Sequence, residues 1–340
     1  MNTLSSILDQ SDAVEWLRKA YAADRLPHGL IFAGPAGVGK GTTARALAAL
    51  WLCERPKADP PDACGQCASC KLMAAETHPD FGVVYRQLVR TLEDKKDSKA
   101  RDLSVDVIRR FLLEPAALKP VMNRGRVFVV EEAETMNAAA QNGLLKTLEE
   151  PYGRTLIILL ADDALSMLQT IRSRSQVVRF GALSAKNVAA ELAGRGIEKG
   201  TADRAAAIAE GSLGSALKWI EDGVVDAAGE LARHVDDVTA GRGGAELPDW
   251  FKRAADAYAE KQVGRDKNTS LDQAKREGLG LYLKLTGQHF RRMLASGQGV
   301  ERACESIEAI ARADEHLEAN VNIPVIFQQL AMTLGRVWKA

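Results

Sequence analysis

The chain has 340 residues with 46% hydrophobic and 26% charged side chains, the ordinary balance of a soluble globular protein of about two or three domains. Lys plus Arg and Asp plus Glu both number 45, so any nucleic-acid contact must come from a local patch rather than a global basic field. No run approaches the roughly 18 apolar residues of a membrane span, and the N-terminus lacks the basic start and apolar core of a secretion signal, so a cytoplasmic location is expected.

Through residue 180, short apolar runs alternate with helical patterns. Strands are expected at Gly29–Ala33, Gly82–Tyr85, Arg126–Val130, Thr155–Leu160 and Gln176–Phe180, with helices at Thr43–Leu52, Ser104–Leu113 and Asn137–Glu149. This alternation predicts a parallel sheet with helices on both faces. The charged stretch Arg86–Arg101 reads as a solvated loop, with a phosphate contact by Lys95, Lys96 or Lys99 as the lesser alternative. After Leu183 the strand signal ends, and Ser184 caps a run of short helices to about Gly223. The break Gly241-Arg242-Gly243-Gly244, with Pro248 beyond it, reads as a linker into a last all-helical region.

Gly34-Pro35-Ala36-Gly37-Val38-Gly39-Lys40-Gly41-Thr42 is nearly a phosphate-binding P-loop, placed between an apolar strand and an alanine-rich helix. Its glycines let backbone N–H groups wrap a phosphate, the helix N-terminus adds a favourable field, and Lys40 supplies charge. The residue after the lysine, normally the hydroxyl that holds Mg²⁺, is Gly41, although Thr42 lies one place on. ATP and Mg²⁺ are therefore expected as weak or vestigial ligands of Gly34, Gly37, Gly39, Lys40, Gly41 and Thr42.

Four of the five cysteines, Cys53, Cys64, Cys67 and Cys70, form a C-x10-C-x2-C-x2-C set in a Pro/Asp-rich insertion directly after the P-loop helix. Four thiolates at this spacing suit one tetrahedral Zn²⁺, and with all positions filled by protein the ion would be structural. Redox disulfides or buried thiols brought together by chance are the alternatives. Cys304 stands alone on a helical pattern and reads as a small core residue.

Arg126–Val130 ends in the acids Glu131, Glu132 and Glu134. In P-loop ATPases an acid at this strand end holds Mg²⁺ and the next orients water, but the first acid here is Glu rather than Asp. Glu131 and Glu132 are therefore candidate but degenerate catalytic acids, the plainer reading being the acidic start of a solvated helix. Arg172 and Arg174 precede the expected strand Gln176–Phe180, either as surface charges or as an arginine finger reaching a neighbour's nucleotide.

In this order the motifs resemble the clamp-loader subunits of the AAA+ ATPases that serve bacterial DNA polymerase III. The resemblance covers about residues 1–225, through Leu26-Pro27-His28-Gly29, the P-loop, the cysteine insertion, Thr77-His78-Pro79-Asp80, Glu131–Met136, Asn142–Pro151 and Ser173-Arg174-Ser175. The last hundred or so residues match loosely, through Asn320-Val321-Asn322-Ile323-Pro324. It implies an α/β AAA+ P-loop module at 1–183 with a zinc insertion at about 53–70, a helical lid at 184–240, and an all-α collar at 245–340 that oligomerises. Implied partners are gamma/tau-like and delta-like loader subunits in a hetero-pentamer, a sliding clamp, and primer-template DNA at the level of the complex; no membrane is involved. Arg174 occupies the family's trans-acting arginine position, with Ser175 replacing a cysteine.

Ala161 stands where active loader subunits carry a polar sensor residue, and Gly214 stands at a second sensor's arginine. With Gly41, they imply a stator-like subunit that is not a robust ATPase alone but belongs to a polymerase holoenzyme. Two alternatives remain at this level: an active gamma-like ATPase, and a nucleoside-monophosphate-kinase-like phosphotransferase, since such kinases also use Lys-Gly-Thr after the loop.

Overall fold

The structure, a computed structural model, describes residues 3–93, 102–242, 245–265, 269–319 and 321–339. Lys95, Lys96 and Lys99, Gly243 and Gly244 of the expected linker, and Asn320 lie outside the described residues. The chain divides into two compact units: Met1–Arg195 with Ala209–Ser215, and Gly196–Ile208 with Ala216–Ala340.

The first unit is built on a five-stranded parallel sheet whose strands, from one edge to the other, are Phe81–Val84, Arg126–Val130, Thr155–Ala161, Gly29–Ala33 and Gln176–Arg179. Its strands are β1 Gly29–Ala33, β4 Phe81–Val84, β5 Arg126–Val130, β6 Thr155–Ala161 and β7 Gln176–Arg179; β2 Lys57–Ala58 and β3 Pro61–Asp62 form a separate hairpin. β1, β5 and β6 are buried throughout, as parallel strands covered on both faces must be. Successive side chains alternate between two cores. Leu30, Phe32, Val127, Val129, Ile158 and Leu160 pack with the helix Lys40–Leu52, while Ile31, Phe128, Val130, Ile157 and Leu159 pack with Ala140, Leu144 and Leu148 of the helix Ala138–Glu149.

The strand and helix expectations hold to within a few residues at their ends, with four corrections. Residues 86–93 are not a loop: a 3₁₀ turn, Arg86–Leu88, runs into the helix Val89–Glu93, because Leu88 and Val89 anchor it on the apolar core. The helix expected at Ser104–Leu113 runs on to Ala116 through a wide π turn, Arg109–Leu113, just before Pro115, which has no N–H to donate. Glu131–Glu134 do not open a solvated helix; a 3₁₀ turn, Ala133–Thr135, follows Glu132, and the helix begins at Ala138 under an Asn137 cap. Cys304 is exposed, not core, because the helix Val300–Glu318 turns Ala303, Ser306, Ile310 and Ala313 inward and the next residue after Ala303 points about 100° away.

The second unit is helical among its described residues, its longest helix being Leu271–Ala295. An aromatic cluster orders its centre: Trp250 meets Phe251 and Tyr282 edge-on at 5.5 and 5.2 Å, and Phe251 lies 4.5 Å from Phe327. No helix among the described residues is long and apolar enough to cross a membrane.

Candidate functional site

The loop Gly34–Gly39 rises from the C-terminal end of β1, where neighbouring parallel strands also end. Gly34 donates its N–H to the Ala161 carbonyl at 3.3 Å, and Phe180 donates to Ala33 at 2.8 Å. Gly37 has φ +73°, and a Cβ there would lie 2.2 Å from Ser212 Oγ. Gly214 donates to the Gly37 carbonyl at 3.2 Å, and a Cβ on Gly214 would meet Gly37 Cα at 3.0 Å. A side chain at 214 would therefore press on the phosphate loop at Gly37.

Lys40 is buried, and its ammonium donates to the Gly34 carbonyl, to the Pro35 carbonyl at 3.0 Å, and to Asp162 at 2.8 Å. Asp162 escaped the sequence reading, although a signal existed: it directly follows β6, as Glu131 follows the adjacent β5. Two of the three acids of the run pair with arginines. Glu131 pairs with Arg45 at 3.3 Å, and Glu132, held at φ +49°, pairs with Arg86 at 2.6 Å. Burial pushes the Glu134 carboxyl above the ordinary range, and the nearby Asp162 charge adds to the rise. Thr42 is exposed, and Thr43 spends its hydroxyl on the Gly39 carbonyl at 2.9 Å.

The backbone of this cradle fits a phosphate, with the start of a 13-residue helix at Lys40 and its left-handed glycine cap at Gly39. The Mg²⁺ half is depleted: Gly41 offers no oxygen ligand from its side chain, and Glu131 leans on the Arg45 guanidinium.

Arg174 lies just before β7, away from the loop's own lysine, and its guanidinium is partly exposed. Glu149 accepts from its Nε at 2.5 Å and also pairs with Nη2, while Thr170 accepts from Nη1 at 3.1 Å. The Asn142–Pro151 segment therefore positions the arginine through Glu149, a role the sequence alone did not reveal.

At the other end of the P-loop helix, the four thiols of Cys53, Cys64, Cys67 and Cys70 lie within 4.8 Å of one another and can hold one metal ion. Sulfur separations of 3.9 Å for Cys53–Cys67 and Cys64–Cys70, and 3.7 Å for Cys53–Cys70, are too long for disulfides. They match the edges of about 3.8 Å in a tetrahedron with metal–sulfur bonds of about 2.3 Å. Backbone N–H groups of Cys64, Gln66, Cys67 and Cys70 point at the sulfurs. The Gln66 N–H leads in drawing the Cys64 thiol down to about 6, while burial pushes Cys53 and Cys70 up.

Hydrogen bonds staple this module to the sheet. His78 Nδ1 accepts from the Asp80 N–H at 3.1 Å, so its Nε2 carries the proton toward Ser69 Oγ at 3.0 Å, and Ser69 donates to the Leu52 carbonyl at 2.9 Å. Buried Asp80 accepts from the N–H groups of Val121 and Met122 at 2.7 and 2.8 Å. Arg124 donates to the Cys53 carbonyl at 2.6 Å. Thr77–Asp80, noticed in the sequence as a family marker, thus has a mechanical role.

A parallel sheet with a phosphate loop on a central strand, acids at the adjoining strand ends and a following helical region defines an AAA+ P-loop protein. Residues 9–184 match the family model described as DNA polymerase III, delta subunit. That match spans more than half of the chain, and the chain belongs to this family. Among curated relatives, the delta' subunit of Pseudomonas aeruginosa DNA polymerase III is 38% identical over 150 residues, covering 43% of this chain and 41% of its own length. The Escherichia coli delta' subunit is 33% identical over 163 residues, covering 48% and 45%. A gamma/tau subunit of Mycobacterium bovis is 33% identical over 192 residues, covering 56% and 31%. The matched region thus spans less than half the length of each of these relatives. A solved gamma-subunit-related protein from Thermotoga maritima aligns with 94% of this chain and 98% of its own at TM-score 0.44 and 13% identity, too distant to weigh in the assignment. The family assignment removes the kinase alternative.

Proposed function

We propose that this chain is the stator-like, delta-prime-type subunit of a DNA polymerase III clamp loader. It joins gamma/tau-like and delta-like subunits, helps place a sliding clamp on primed DNA, and lends Arg174 to the ATP site of the adjacent subunit. Its own nucleotide site hydrolyses weakly or not at all. In this reading 1–183 is the ATPase-like module, 184–240 a lid and 245–340 the collar, and the cysteine cluster holds a structural zinc.

The observation that supports the reading is the placement of Arg174. It stands just before β7, at the opposite end of the parallel sheet from the loop that follows β1, and Glu149 and the Thr170 carbonyl hold its partly exposed guanidinium in place. An arginine supplied in trans stabilises charge that develops on the transferring phosphoryl group and is worth about 10³–10⁵ in rate where it acts. In a loader reconstituted with this chain, Arg174→Ala is expected to cut DNA- and clamp-stimulated ATP turnover at least about tenfold while assembly survives. Unchanged turnover in an assembled complex would remove the role.

The likeness to gamma/tau subunits supports a second reading, an active ATPase. Against it stand Gly41, the Arg45–Glu131 pair and the packing of Gly214 on Gly37. ATP turnover by the isolated chain, abolished by Lys40→Ala, would favour it.

A further inference from the structure

Strand register brings an acid to the phosphate loop. β1 and β6 run parallel with Ala33 opposite Ala161, so the first residue past each strand, Gly34 and Asp162, emerges side by side. The Gly34 N–H is tied to the Ala161 carbonyl at 3.3 Å. On the other side of Asp162, the Asp163 carboxylate caps the next turn by accepting from the Leu165 N–H at 2.9 Å. Asp162 is therefore set between a buried strand and a capped turn.

A lysine ammonium has three N–H donors and no acceptor. All three on Lys40 have partners: the carbonyls of Gly34 and Pro35, and the Asp162 carboxylate at 2.8 Å. A phosphate oxygen can reach the ammonium only by displacing one of them. The two carbonyls fasten the amine to its own loop, while the carboxylate cancels its charge. The Lys40 side chain is 9% exposed and that of Asp162 is 59% exposed, so the pair meets solvent through the carboxylate. We propose that Asp162 is a built-in counter-anion that competes with nucleotide phosphate for Lys40 and so holds the affinity of this loop down.

Shape is not what the loop lacks. Gly39 has a left-handed φ of 105° ahead of a 13-residue helix, the backbone that turns N–H groups toward an anion. What it lacks is a free cation, since the lysine that reaches the β- and γ-phosphates in a P-loop is neutralised here. A second acid stands near. Burial is the main cause of the raised Glu134 carboxyl, but that group also feels both charges, Asp162 adding to the rise and Lys40 opposing it. One lysine thus faces two carboxylates. Because the Asp162 side is exposed, water and salt screen the pair, and the effect of breaking it is moderate. Asparagine at 162 keeps the side-chain shape and a carbonyl that can accept from Lys40, so it removes the charge alone.

The inference rests on the nucleotide-site part of the proposed function and is tested apart from the trans arginine. Calorimetric titration of the full chain with the non-hydrolysable ATP analogue AMP-PNP in magnesium buffer reads it out, with urea unfolding to verify that each variant is folded. Asp162→Asn is expected to bind at least about fivefold more tightly than the wild type, a difference of about 1 kcal/mol. Asp163→Asn removes the same charge one residue away and should stay within about twofold of the wild type. A wild type too weak to titrate, beside an Asp162→Asn chain that binds, also supports the proposal. A gain below about fivefold, a loss, or an equal gain in Asp163→Asn would overturn it while leaving the phosphate cradle standing. No binding by any of the three chains would overturn it together with the cradle. None of those results touches the Arg174 reading, which is measured in the assembled loader.

Discussion

The helix Lys40–Leu52 carries a phosphate cradle at its first residue and the first cysteine of a metal cluster immediately after its last, and the two ends treat charge in opposite ways. At the cysteine end, four sulfurs converge with backbone N–H groups aimed at them, and among the described residues no cationic side chain is hydrogen-bonded to any of them. At the phosphate end three of the principal charges already have partners: Lys40 has Asp162, Glu131 has Arg45 and Glu132 has Arg86, while the buried Oε2 of Glu134 has none among the described residues. Convergent, uncompensated ligands need an ion to complete them, whereas internally neutralised ones do not. The same unit thus combines a cysteine cluster that can hold a metal with a loop end where Glu131 and Glu132 are paired with the chain's own arginines.

The largest effect expected from breaking this contrast is at the cysteines. Purified, reduced protein should carry about one zinc per chain, and Cys67→Ser should lose most of it together with cooperative unfolding of the first unit. Metal analysis that finds none would sink the claim. Asp80→Ala comes next, because it strips the Val121 and Met122 N–H groups of a buried acceptor; chemical denaturation should show a loss of about 2–4 kcal/mol. An effect below about 0.5 kcal/mol would show that the staple bears no strain.

A smaller effect concerns pH. Burial holds the His78 imidazole below its ordinary value, against the pull of Asp80, so the folded protein keeps the ring neutral. The unfolded chain then takes up the proton first, and stability is full above about 6.5 and declines as pH falls below it. Urea unfolding at pH 7.5 and 5.5 should show this decline shrinking in His78→Gln; an unaltered decline would assign it to other groups.

Much of the fold was legible in the sequence because buried parallel strands read as continuous apolar runs; β1 and β5 match to the residue. The N-terminal helix Ser11–Ala22 was not recognised, nor was the hairpin Lys57–Asp62, whose two-residue strands are fixed by tertiary bonds rather than by pattern. Asp62 accepts from the N–H groups of Leu4 and Ser5 at 3.1 and 3.0 Å and pairs with Arg18 at 3.2 Å, contacts between residues far apart in the chain. The cysteine cluster was legible because metal ligation imposes local spacing. Asp162, Arg45 and Glu149 were not, since each acquires meaning only from a partner on another strand or helix.

The central claim is that this subunit's contribution to ATP chemistry lies at Arg174 rather than at its own loop. It is tested most directly by comparing Arg174→Ala with Lys40→Ala in one reconstituted loader, reading ATP turnover with primed DNA and clamp present. The account predicts a loss of at least about tenfold for Arg174→Ala and less than about twofold for Lys40→Ala. Equal losses, or a larger loss for Lys40→Ala, would contradict it.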